Sequence, residues 1–145
     1  MPSLRPCRQA GTVRTEVGIQ SILLDTHTLL WWATGDKKLS RKIRKLIEEA
    51  EATVFVSAAT AWEIATKVRL GKLTWSSPDS VERYCSGQTF QLLPVSFAHA
   101  ALAGSWPQEH GDPFDRTLAA QSEIERMLLA TDDAKIQLFG VQTIW

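Results

Sequence analysis

The chain has 145 residues, 44% of them hydrophobic and 22% charged, which suits one globular domain with a real core and calls for no second one. Sixteen basic and sixteen acidic residues cancel, so overall charge neither argues for nucleic-acid binding nor removes a local basic patch. Cys7 and Cys85 are too few and too isolated for a disulfide framework or a structural zinc site, which fits a reducing cytoplasm.

The stretch from Met1 to Gln20 carries Arg5, Arg8 and Arg14 but no continuous apolar run, so it reads as neither a signal peptide nor a membrane anchor. With Pro2, Pro6, Gly11 and Gly18 it is expected to be a flexible extension, residues 1–20, ahead of a folded domain at 21–145. That extension could precede the native translation start, which mass spectrometry of the native protein would test. Ser21 to Asp25 is a short apolar run ending in an acid, the pattern of a buried parallel strand, and a short helix is expected through Leu29 to Ala33. From about Ser40, a plausible cap, to Ala50 the residues Leu39, Ile43, Leu46, Ile47 and Ala50 repeat at helical spacing. Thr53 to Val56 is β-branched and aromatic, hence strand. Ser57 then caps a helix whose Ala58, Ala61, Trp62, Ala65 and Val68 form one apolar stripe, ended by Gly71. A helix from Ser76 to about Ser86, a strand from Phe90 to Leu93 and a helix from Ser96 to Ala103 follow. Asp112-Pro113 opens a helix to about Arg126, Met127 to Thr131 is a strand, a helix begins at Asp133, and Val141 to Ile144 is the last strand. Five strands alternating with about seven helices predict an α/β fold, a mainly parallel sheet covered on both faces.

Asp25, Glu63, Asp115 and Asp133 each lie at a strand-to-helix handover or near a helix start, and in such a sheet those positions fall along one edge. Each has an ordinary explanation when taken alone. Asp25 could cap the helix after the first strand, and Glu63 could make a surface ion pair with Lys67 four residues on. Asp112 and Asp115 could form a capping box around Pro113, and either Asp132 or Asp133 could cap the last helix. Together they place four carboxylates on one edge with no basic residue beside most of them. Two carboxylates about 4 Å apart repel by roughly 4 kcal/mol at an effective dielectric near 20, so the cluster calls for a cation. All-oxygen ligands favour Mg²⁺ or Mn²⁺ over zinc.

Five ordered blocks, Leu23 to Trp32, Val56 to Ile64, Lys67 to Leu73, Asp112 to Arg116 and Thr131 to Asp133, together resemble the PIN-domain family, and more narrowly its VapC-type toxins of bacterial toxin–antitoxin pairs. The resemblance spans Ser21 to Trp145. It implies a three-layer α/β/α fold with an about five-stranded sheet and a Mg²⁺-dependent endoribonuclease, with Mn²⁺ as a substitute ion. The family's acids fall on Asp25, Glu63, Asp115 and Asp133, its hydroxyl near the metal falls on Thr131, and Thr26 is a weaker candidate. Asp112 is a neighbour whose role stays open, as does that of Asp132. The resemblance also implies an RNA substrate, a cognate antitoxin lying over the groove and commonly a homodimer.

Other residues carry two readings. Lys37, Lys38, Arg41, Lys42 and Lys45 share one helical face, either simply solvated or turned toward RNA or an acidic protein segment. Arg116 either orients Asp115, touches phosphate or is a surface charge. His27 and His110 stand near acids where phosphate contact is conceivable, His99 reads as an ordinary helix residue, and none has metal-ligand spacing. Trp31, Trp32 and Trp62 read as core or interface anchors. Two alternatives compete with the nuclease: a catalytically silent PIN-like RNA- or protein-binding module, and a haloacid-dehalogenase-like phosphatase. The second needs an Asp two residues after the first, where His27 stands.

Overall fold

A computed structural model describes residues 21–145 and, ahead of them, the antiparallel pair β1 (Arg14–Thr15) and β2 (Gly18–Ile19). The rest of the expected extension lies outside the described residues. The main sheet holds β3 (Ser21–Leu24), β4 (Thr53–Ser57), β5 (Gln91–Leu93), β6 (Leu128–Ala130) and β7 (Thr143–Ile144) in the order β5-β4-β3-β6-β7, with every neighbouring pair parallel. Seven helices connect them: α1 (Thr26–Thr34), α2 (Arg41–Glu48), α3 (Ala58–Arg69), α4 (Val81–Gly87), α5 (Phe97–Ser105), α6 (Pro113–Glu125) and α7 (Ala134–Gln137).

Side chains alternate across the central strand, so Ile22 and Leu24 enter one core and Leu23 the other. The first core also takes Leu29, Ile43, Val54, Val56, Ile64 and Phe90, and the second takes Leu118, Leu129, Ile136 and Phe139. Both faces are therefore covered, as a parallel sheet requires. The chain builds outward from β3 to β5 on one side, then returns to β6 and β7 on the other. Strand order reverses between β3 and β6, and in open α/β sheets the crevice beyond the carboxyl ends at such a reversal is where ligands bind.

Local details differ from the predicted elements for identifiable reasons. The first helix starts at Thr26 because Asp25 caps it directly, its carboxylate accepting from the Thr28 N–H, and it ends at Gly35, whose φ of 68° gives the left-handed cap. The fourth helix begins at Val81 instead of Ser76. Pro78 and the Ser77 hydroxyl, which accepts from the Asp79 N–H, hold a turn there, and Ser80 is the cap.

The larger correction concerns α3. Its apolar stripe is turned outward: Ala58, Trp62, Ala65 and Val68 are exposed, Trp62 by 58%, whereas the buried residues are Ala59, Thr60, Glu63 and Ile64. The helix buries a glutamate and a threonine because that face turns toward the crevice.

Candidate active site

Four elements deliver the acids. Asp25 follows β3 at 5% exposure, and its Oδ1 accepts from the Thr28 N–H at 2.8 Å with the Thr28 hydroxyl 2.6 Å away. That hydroxyl also lies 2.9 Å from the Ala130 carbonyl, to which the Asp25 N–H does not reach sideways by chance: it donates there at 3.1 Å, tying the end of β3 to the end of β6. Glu63, 3% exposed, has both oxygens engaged. The Thr26 hydroxyl donates to Oε1 at 2.7 Å, backed by the Thr60 hydroxyl at 3.2 Å, and Lys67 Nζ donates to Oε2 at 2.6 Å. The pair with Lys67 is thus not the surface contact that its spacing suggests, since the Glu63 side chain is only 4% exposed.

Asp112 caps α6, its Oδ1 accepting from the N–H groups of Phe114 and Asp115 at 2.8 and 3.1 Å. The return half of the expected capping box gives way to another partner: Asp115 Oδ2 meets His110 Nε2 at 2.9 Å. Asp133 caps α7 through the Lys135 N–H, while its own N–H donates to the fully buried Thr131 hydroxyl at 3.0 Å.

The electrostatics show which acids share a space. Burial first, and then the charges of Asp112, Glu63 and Asp133, push the Asp115 carboxyl up to about 6, with the His110 contact opposing them. Asp133 is among those neighbours, and Asp132 is exposed to solvent. Lys67 is held protonated above the usual lysine range, chiefly by Glu63, with Asp112 and Asp115 adding to it. Burial likewise raises Asp25 against the hydrogen bonds of Thr131 and Thr28.

The PIN domain family model matches residues 22–140. The chain belongs to the PIN domain family. Ribonuclease VapC22 of Mycobacterium tuberculosis (strain ATCC 25618 / H37Rv) is 25% identical over 118 residues, covering 81% of this chain and 90% of that protein. Among solved structures, VapBC2 from Rickettsia felis bound to a DNA fragment from its promoter matches with a TM-score of 0.61 at 14% identity, over 83% of this chain and 92% of that one. A toxin–antitoxin complex from Klebsiella pneumoniae matches with a TM-score of 0.55 at 19% identity, over 80% and 89%. These two structures share the fold of this PIN domain.

Among the described residues no three His, Cys, Asp or Glu side chains stand together as a finished metal cage. The donor set nonetheless suits a hard cation. Mg²⁺ keeps several waters and takes only one or two carboxylates directly, and three like charges already raise Asp115. Two basic partners temper the expected bare cluster: Lys67 on Glu63 and His110 on Asp115.

Arg116 in this PIN domain neither orients Asp115 nor reaches out for phosphate. Its guanidinium donates to the carbonyls of Ala103, Trp106, Gln108 and His110 at 2.6–2.9 Å and lies over the Phe139 ring, which fastens the loop between α5 and α6. That loop carries His110 to Asp115. Sequence reading underrated His110, whose only signal was its place five residues before an acid. His99 was likewise more than a plain helix residue: its Nδ1 accepts from the Ser96 N–H in a capping box and its Nε2 meets Glu125 at 2.8 Å.

Proposed function

We propose that the chain is the toxin of a toxin–antitoxin pair, an endoribonuclease that hydrolyses RNA phosphodiester bonds with Mg²⁺, for which Mn²⁺ can substitute. The observation that carries this reading is the convergence of acids at the strand-order reversal of a PIN-domain sheet: Glu63, Asp112 and Asp133 bear on Asp115, and Thr26, the residue after Asp25, is hydrogen-bonded to Glu63. The likeness to Ribonuclease VapC22 supports RNA as substrate, and the toxin–antitoxin complex among the structural neighbours supports an antitoxin partner. A cytoplasmic location goes with this reading, since RNA and a reducing setting for the free thiol of Cys85 are both found there.

Asp25, Glu63, Asp115 and Asp133 would hold the ion, one or two of them directly and the others through its waters, and when bound it supplies an activated water and charge stabilisation at the scissile phosphate. The protein's own part is orientation. Thr28 holds Oδ1 of Asp25, and Thr26 with Lys67 holds both oxygens of Glu63, so neither carboxylate has to be ordered when substrate arrives. Thr131 receives the Asp133 N–H and sets the start of α7, while His110 fixes one oxygen of Asp115.

The test is incubation of purified protein, free of antitoxin and contaminating ribonuclease, with structured RNAs, with and without Mg²⁺ or Mn²⁺, alongside Asp25→Asn. Metal-dependent cutting that disappears in the variant is expected. Tight RNA or protein binding without turnover would instead support a silent module.

A homodimer belongs to the same proposal. Ala58 and Ala61 of α3 line an apolar groove of about 240 Å³ together with Leu92, and Val95 and Phe97, the last 96% exposed, follow Leu92 in the chain. Such a face invites a partner, and a second copy of this chain is the one proposed. Light scattering of Phe97→Asp should then give a monomer.

A further inference from the structure

One strip of the surface beside the acids combines rings with free cations. His27, two residues past Asp25, is exposed. Its ring lies 5.8 Å from that of Trp31, tilted by 38°, and Trp31 is in turn braced edge-on by Trp145 at 5.8 Å. Lys38 Nζ stands over the Trp31 ring at 6.0 Å. Contacts therefore run from His27, two residues past an active-site acid, to Lys38 in the basic stretch before α2. Arg41 and Lys42 continue that stretch. All three cations are exposed, and none makes an ion pair with a described residue, whereas Lys45, one turn further along, is paired with Glu49 and Glu51.

Aromatic rings beside cations are what a single-stranded nucleic acid needs, because every base has a face to stack and every phosphate a charge to neutralise. An acidic peptide would use the lysines but gains little from an exposed imidazole backed by tryptophan.

We propose that this strip, from His27 through Trp31 to Lys38, Arg41 and Lys42, carries the single-stranded RNA flanking the scissile phosphate, with one base against the His27 ring and the backbone along the cations. The inference rests on the nuclease reading above, because it assigns the substrate's path next to that site. Trp31 is the buttress behind His27, and its packing against the core keeps the platform rigid.

The experiment uses the full chain carrying Asp25→Asn, so that RNA survives, and follows binding of a labelled single-stranded decamer and of an abasic decamer with the same backbone. His27→Ala should weaken the base-bearing RNA by about fivefold or more, the lower end of what one base stacked on an aromatic ring contributes, and leave the abasic strand unaffected. Lys38→Glu and Lys42→Glu should weaken both strands and flatten the dependence of affinity on salt. Equal binding by all these variants would overturn the proposal. So would an absence of RNA binding by Asp25→Asn, or displacement of RNA by a polyglutamate peptide from the parent but not from Lys38→Glu. Failure of the nuclease reading looks different: a chain without Asp25→Asn that binds RNA through the strip yet cuts none. Cutting with KM unchanged in His27→Ala and Lys38→Glu would sink the strip alone.

Discussion

Asp25 and Glu63 lie almost wholly buried, their oxygens tied to Thr28, Thr26 and Lys67, whereas Asp115 and Asp133 sit half-buried at helix starts and the Asp115 carboxylate is steadied by His110. The first pair is fixed by residues of strand ends and packed helices. The second depends on the loop between α5 and α6, which Arg116 fastens through four carbonyls. Isosteric loss of a carboxylate charge in the first pair should therefore strike chemistry while sparing the fold, and damage around the second should act through loop geometry. Asp25→Asn makes the sharpest case. Asparagine keeps an oxygen to cap α1, so urea unfolding should stay within about 1 kcal/mol of the parent, while kcat for RNA cleavage should fall by roughly 10²–10³-fold, the scale of losing one preorganised electrostatic group. Full activity in that variant would remove Asp25 from the site.

Arg116→Ala addresses the other half. It leaves four carbonyls without their charged donor, which should cost about 2–4 kcal/mol, less than four times the roughly 1.5–3 of a single hydrogen bond to a charged group because water can solvate the carbonyls of the loosened loop. Urea unfolding measures that loss. Limited proteolysis should also find new cuts between Trp106 and Gly111 before the core opens, and an unchanged digestion pattern would contradict the loop's dependence on Arg116. Thr26→Val, similar in shape but without the hydroxyl, strips Glu63 Oε1 of its donor and should cost about 1–3 kcal/mol, again by urea unfolding. A neutral result would mean that Glu63 is less tightly fixed than its two contacts imply.

The same division governs what the sequence made legible. Strands and helices were readable because β3, β4 and α2 carry clear periods and because Ser40, Ser57 and Ser96 are caps in fact. Parallel pairing followed from the alternation of strands and helices, while the order β5-β4-β3-β6-β7, which sets the place of the crevice, needed three-dimensional information. On α3 the period was right and the face was wrong. An apolar stripe normally marks the buried side, but here Glu63 and Thr60 are buried because hydrogen bonds from Thr26 and Lys67 offset the cost of desolvation, leaving Trp62 outside. No local rule signals that exchange. Arg116 was open in sequence for a related reason: its partners are main-chain carbonyls, one at the end of α5 and three in a loop without regular structure, and any residue there offers the same acceptor.

The smallest expected effect is the most specific to the second half. The Asp115 carboxyl rises from an ordinary 3.8 to about 6, so the folded chain holds that proton more tightly than the unfolded chain does. The resulting stability is fully present below about pH 4 and is lost as pH climbs through 6. Metal-free protein should accordingly unfold at lower urea at pH 7 than at pH 5, and Asp115→Asn should flatten that slope. Part of it should survive, because Asp25 is raised in the same direction. Added Mg²⁺ should restore stability at pH 7 in the parent and do so much less in Asp115→Asn, since the ion binds the ionised carboxylate and shifts folding by mass action. Parallel pH profiles for parent and variant would mean that burial and the charges of Asp112, Glu63 and Asp133 do not raise the Asp115 carboxyl.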